Sequence, residues 1–188
     1  SEYFLIDEPP EIVEIGDSVK EVMITFGGSD PTGLTVNVLQ TLVKNRITYN
    51  VNVVLGPAFS EYNKIYEISK KSNAITIHNN PANFFEMLRQ QDVVVCSAGR
   101  TLYECAYFGR PVIIVPSIEH ESIIAAEYAR ATGCFDLEIW NETETPAGIM
   151  KSLEVYNHNY SLRKSVFDAS RILVDGFGMK RILALISQ

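Results

Sequence analysis

Apolar residues fall along this chain in short continuous runs rather than in strict alternation. Residues 22–26 read Val-Met-Ile-Thr-Phe, and similar runs recur at 51–55, 74–77, 92–96 and 112–115, with a shorter one near 135–139. Gly, Pro, Asn or Ser follows each of the first five within three residues, as at the end of a buried strand. Between the runs the spacing turns helical. Leu34, Val38 and Leu42 share one face, a polar stretch covers 62–71, a short segment covers 84–89, and longer ones run through Phe108 and over 122–131. Six strand–helix units are predicted. Strands apolar on both faces and joined by helices imply a parallel sheet covered on both sides. The predicted fold class is therefore α/β, a Rossmann-like doubly wound parallel sheet. Extra helices follow over 147–156 and 162–186, with turn breaks at 157–159 and 176–178. The first twenty residues hold adjacent prolines at Pro9 and Pro10 and no sustained period, which predicts a linker over 1–20 and one domain over 21–188.

Composition narrows the function classes. The chain has 188 residues, a formal charge of −7 and no local basic patch, so nucleic acid is not an expected partner. No apolar stretch approaches the roughly 20 residues needed to cross a bilayer, and the start is acidic without a signal-peptide pattern. Three widely spaced cysteines, Cys96, Cys105 and Cys134, argue against a disulfide framework and against paired zinc ligands. A reducing cytoplasm is the expected location.

In a doubly wound sheet ligands bind beyond the carboxyl ends of the strands, where the strand order reverses. The loops after Phe26, Leu55, Ile77, Cys96 and Val115 are where chemistry is sought. The first reads Gly27-Gly28-Ser29-Asp30-Pro31-Thr32-Gly33. Paired glycines allow close approach of backbone to ligand, and the helix near Leu34 offers N–H groups and a positive dipole end to a phosphate. It lacks the dinucleotide and Walker spacings. A plain turn capped by Ser29 or Asp30 accounts for it equally. The fourth loop, Ser97-Ala98-Gly99-Arg100-Thr101, opens another helix, and Glu104 lies about a turn and a half inside, where a carboxylate can accept hydrogen bonds from a ribose diol. A solvated or salt-bridged helix residue is the alternative for Glu104. The fifth loop leads to Glu119-His120-Glu121: two carboxylates favour the protonated imidazole, and acidic residues also complement a helix start. His78 and His158 have no partner at ligand spacing, so no metal is expected. There is no Gly-x-Ser-x-Gly elbow and no cysteine in an electropositive loop.

Taken in order, residues 22–31 (VMITFGGSDP) and 92–116 (DVVVCSAGRTLYECAYFGRPVIIVP) resemble the C-terminal domain of PseG/SpsG-type proteins, UDP-sugar hydrolases and surface polysaccharide biosynthesis proteins, and their MurG-type GT-B glycosyltransferase relatives. The resemblance spans about 21–133. It implies the nucleotide-sugar-binding C-terminal domain of a two-domain GT-B enzyme, with a UDP-sugar as substrate, no cofactor, and an N-terminal partner domain outside this chain. Gly27, Gly28 and Ser29 would face the diphosphate or sugar. Ser97, Gly99, Arg100 and Thr101 would surround the diphosphate, and Glu104 would match the ribose-binding glutamate. Asn80, Ala82 and Phe84 would lie beside the base, and His120 and Glu121 near the donor sugar. The chain departs from the family where relatives carry Gln or Asn-Gln after the fifth strand and this sequence has Glu119-His120-Glu121. UDP departure from the sugar C1 would be stabilised by backbone N–H groups and helix dipoles rather than a metal. The rival expectation is a non-catalytic GT-B-like interaction module.

Overall fold

The computed structural model describes residues 11–187. Six parallel strands form one sheet in the order β3-β2-β1-β4-β5-β6. They are β1 (Glu21–Thr25), β2 (Asn50–Leu55), β3 (Ile75–Asn79), β4 (Val93–Cys96), β5 (Val112–Ile114) and β6 (Phe135–Asp136). The crossover helices are α1 (Leu34–Lys44), α2 (Tyr62–Ser69), α3 (Phe84–Arg89), α4 (Arg100–Phe108) and α5 (Glu119–Thr132), and α6 (Glu144–His158), α7 (Tyr160–Leu173) and α8 (Gly178–Ile186) follow. The α/β doubly wound fold expected from the hydrophobic runs is present.

The chain steps outward from β1 to β3 and then returns past β1 to β4, so right-handed crossovers place the two sets of helices on opposite faces. α1 packs on α2 and α6, while α4 packs on α3 and α7 and α7 also meets α5. Strand order reverses between β1 and β4. Their register pairs Val22 with Val93 and Thr25 with Cys96, which brings their carboxyl ends level. Every side chain from Val22 to Phe26 and from Val93 to Cys96 is buried, as a strand covered on both faces requires.

The outer strands are less uniform. Asn50, Asn52, Thr76 and His78 bring polar side chains to one face of β2 and β3, where Glu21 accepts from Asn50 and Asn52, and Asn52 Oδ1 meets His78 Nε2 at 3.0 Å. Burial lowers the His78 pKa from its ordinary value. The tail differs in detail from the two predicted segments: α6 begins at Glu144, and the break near Gly176 separates α7 from a distinct α8. Gly176 takes φ 80° against the Tyr107 ring, where a Cβ would come within 2.7 Å. α5 starts at Glu119, three residues before its expected start, because its first turn is polar and invisible to an apolar period.

Residues 1–10 of the expected linker lie outside the described residues. The following segment is fastened to the domain. Ile15 and Val19 are buried. Arg163 donates to the Gly16 carbonyl at 2.8 Å, Arg110 donates to that of Val13, and Asp92 Oδ2 accepts from the Lys20 and Glu21 N–H groups.

Candidate functional site

The reversal point between β1 and β4 opens into a cleft of about 570 Å³. Four loops meet there. Thr25, Gly27 and Gly28 come from the end of β1, and residues 54–57 from the end of β2. Asn80, Pro81 and Phe84 follow β3. Ser97, Gly99, Arg100, Thr101 and Glu104 follow β4. The two glycine-bearing bends singled out in the sequence thus converge on one space.

They do not contribute alike. The α1 start is not an open anion site, because Asp30 already fills it. Leu34 N–H donates to Asp30 Oδ1 at 3.0 Å and Thr35 N–H to Oδ2 at 2.8 Å. A buried carboxylate against two backbone donors and the positive end of the dipole needs no further ligand. This corrects the expectation that α1 offers its N–H groups to a phosphate, and it selects the capping alternative. What the first loop brings to the cleft is backbone. Gly56 packs directly on it, so that a Cβ there would lie 2.4 Å from the Gly27 carbonyl oxygen and from Gly28 Cα. Ala58 N–H donates to the Gly28 carbonyl at 2.9 Å and ties the two loops together. The β2 loop was marked as a place to look, but Gly56 and Pro57 carry no chemistry of their own that a sequence reveals.

The α4 start is built differently. Gly99 is its N-cap in extended conformation, with no side-chain cap and no acidic residue in the first turn. First-turn N–H groups face out along a helix axis, and the residues bearing them line the cleft. One turn in, Glu104 is buried at 5% exposure yet lines the same cleft. Burial raises its pKa, against the opposing effects of the Arg100 guanidinium and a Thr101 hydrogen bond. Arg100 Nε lies 3.3 Å from Glu104 Oε1, with the Arg100 side chain 85% exposed. The solvated alternative for Glu104 is thereby excluded, while the salt-bridged one is present in the contact with Arg100.

Of the predicted site residues, Gly27, Gly28, Asn80, Phe84, Ser97, Gly99, Arg100, Thr101 and Glu104 are brought together. Ser29, Ala82 and His120 are exposed and do not line the cleft. Ser29 stands on a loop whose inward position is taken by Asp30, and Ala82 sits in the turn before α3. His120 does not bridge the flanking carboxylates. Glu121 instead accepts from the Ser117 N–H at 2.7 Å, fastening the start of its own helix. Its other oxygen, Oε1, is 3.8 Å from the position a Gly99 Cβ would take. Asn80 holds φ 44°, a conformation asparagine tolerates better than most residues, and its N–H donates to the Leu55 carbonyl at 2.8 Å.

A larger groove of about 980 Å³ runs between α1 and α6, past Gln40, Lys44, Trp140 and Lys151. It lies on helix flanks away from the strand ends, and neither glycine-bearing bend reaches it. Among the described residues no group of three or more His, Cys, Asp or Glu is placed to hold a metal, and no helix is long and apolar enough to cross a membrane.

No family model matches the chain. It is 24% identical over 169 residues to the spore coat polysaccharide biosynthesis protein SpsG of Bacillus subtilis, covering 89% of this chain and 50% of that one. It is also 28% identical over 125 residues to a Helicobacter pylori protein named as pseudaminic acid cytidylyltransferase and UDP-2,4-diacetamido-2,4,6-trideoxy-beta-L-altropyranose hydrolase, covering 66% and 21%. The chain is a relative of the SpsG and PseG-type proteins. It further matches Methanocaldococcus jannaschii MJ1062, 38% identical over 99 residues, covering 51% of this chain and 20% of that one. It therefore spans half the length of SpsG and about a fifth of the other two. Its fold is that of GT-B glycosyltransferases. Acinetobacter baumannii MurG superposes with a TM-score of 0.65 at 14% identity over 92% of this chain and 50% of MurG. Staphylococcus aureus TarM, solved with UDP, gives 0.68 at 14% identity over 96% of this chain and 37% of TarM.

Proposed function

We propose that this chain binds a UDP-sugar in the cleft at the β1–β4 reversal, as the nucleotide-sugar half of a GT-B-type hydrolase or glycosyltransferase of surface polysaccharide or nonulosonate synthesis. The observation that carries the proposal is the joint placement of an uncapped α4 start and the buried Glu104 carboxylate in one cleft. The diphosphate sits at the N–H groups of the α4 first turn, beside Ser97, Gly99 and Thr101. Glu104 accepts from the ribose hydroxyls, and the base lies against Asn80, Pro81 and Phe84. The relative named as a UDP-sugar hydrolase and the UDP complex of the superposed TarM support uridine as the nucleoside.

The chemistry is cleavage of the bond between sugar C1 and the distal phosphate oxygen. UDP leaves with the bonding electron pair, and its growing charge is stabilised by fixed N–H dipoles that need no reorganisation. The water or acceptor, and the base that activates it, come from the other half of the complete enzyme, so this chain binds without turning over.

Glu121 favours a second reading, a module that has lost its donor, because its carboxylate flanks Gly99 where the diphosphate would lie. Thermal unfolding with and without ligand separates the two. A ligand present at ten times its Kd stabilises by about 1.4 kcal/mol, a rise of roughly 3–5 °C for a domain of this size. UDP and UDP-N-acetylglucosamine at millimolar concentration are expected to produce such a rise. The absence of any rise with uridine nucleotides would leave the module reading standing.

A further inference from the structure

Among the described residues that line the cleft, Arg100 is the sole cation. The same space is flanked by two carboxylates, Glu104 inside it and Glu121 beside Gly99. A diphosphate carries two to three negative charges, so a helix dipole equivalent to about half a charge is outweighed by those two carboxylates alone. Some group has to offset them. Arg100 is the first residue of α4, where side chains lean back over the helix start, and its largely exposed guanidinium is free to change partner at little packing cost. In the structure that guanidinium lies on Glu104 rather than over the Gly99 turn.

We propose that Arg100 is the residue by which the cleft tells a nucleoside diphosphate from a nucleoside, acting by partner exchange: Glu104 gives up Arg100 for the ribose hydroxyls, and Arg100 swings to the diphosphate and offsets Glu121. The proposal rests on the UDP-sugar reading of the cleft and adds how charge is balanced within it. The fork of a guanidinium suits two oxygens of a diphosphate, and the exchange leaves no buried charge unpaired, because the ribose hydroxyls replace the exposed guanidinium as donors to the buried Glu104 carboxylate. The exchange also makes ribose and diphosphate recognition interdependent, since the same carboxylate that receives the sugar releases the cation.

Calorimetric titration of uridine, UDP and inorganic pyrophosphate into the 188-residue protein, R100Q and E104Q tests it. R100Q is expected to weaken UDP by about tenfold or more, the range of a lost charge-assisted hydrogen bond, while uridine holds or tightens by up to about fivefold, because Glu104 no longer has to release a cation to take the ribose. E104Q is expected to move two ligands in opposite directions, weakening uridine and tightening pyrophosphate, because the ribose acceptor is lost while Arg100 is freed. A purely structural role for either residue would move all three ligands together. Equal loss of uridine and UDP in R100Q, an R100Q indistinguishable from the parent protein, or weakened pyrophosphate in E104Q each overturns the exchange while leaving the cleft assignment intact. A parent protein that binds neither uridine nor UDP overturns the cleft assignment and the exchange with it.

Discussion

Glu104 is the residue on which the chemistry turns, and its burial has a consequence for stability that requires no ligand. Its folded-state pKa is raised, chiefly by burial, so the protonated form is the one that folding favours. The associated stability is fully present below the unfolded glutamate value and is lost as pH rises through the folded value. E104Q should therefore melt higher than the parent protein at pH 7 without nucleotide, and the gain should shrink as pH falls through the carboxylate range. A variant that melts lower at pH 7 would show instead that the Arg100 and Thr101 contacts outweigh the cost of burial. Glu104, Ser97, Gly99, Arg100 and Thr101 were legible in the sequence because they follow a buried apolar run directly and open a helix. Glu121 was legible as an acidic helix start and, through the family resemblance, as a residue near the donor sugar. Its position beside Gly99 depends on how β4 and β5 pair, which no local pattern encodes.

At the scale of elements, two helices start at the same edge of the sheet with opposite electrical character. α1 is closed by Asp30 and α4 is left open. The sequence offered Gly-rich loops before both, and the difference lies in one carboxylate whose reach of four and five residues is outside the usual capping distance. D30A should cost about 1–3 kcal/mol in urea unfolding, the range of a lost cap with buried donors left unpaired. It should leave uridine affinity nearly unchanged. A large loss of uridine binding in D30A, at unchanged stability, would place the ligand at α1 and reverse the assignment of the two loops. The strands themselves were readable because the sheet is covered on both faces, and boundaries slipped where that cover thins. β6 is two half-buried residues, and β2 and β3 carry the asparagines and the histidine that broke the apolar rule.

For the whole molecule, the sheet order places the site and the tail holds the framework. α7 packs on α4 and α5, and from it Arg163, only 1% exposed, reaches the carbonyls of Tyr156, Asn157 and Gly16. Such long-range ties between α7 and the segment leading into β1 leave no periodic trace, which is why prolines and acidic residues at the start suggested only a linker. R163A should destabilise the protein by roughly 2–4 kcal/mol, since one buried and two partly buried carbonyls lose their donor together. It should also raise amide exchange across residues 11–19. Stability within about 0.5 kcal/mol of the parent would show those ties to be dispensable.

The central claim, that a nucleoside diphosphate is held between the β1 and β4 bends on the open α4 start, is tested most directly by titrating UDP into the ¹⁵N-labelled protein and mapping the amide shifts. The expected result is saturable change at Gly28, Asn80, Ser97, Gly99, Arg100, Thr101 and Glu104, with little along the α1–α6 groove at Lys44, Trp140 and Lys151. Shifts confined to that groove, or to Leu34 and Thr35 at the Asp30-capped start of α1, would contradict it.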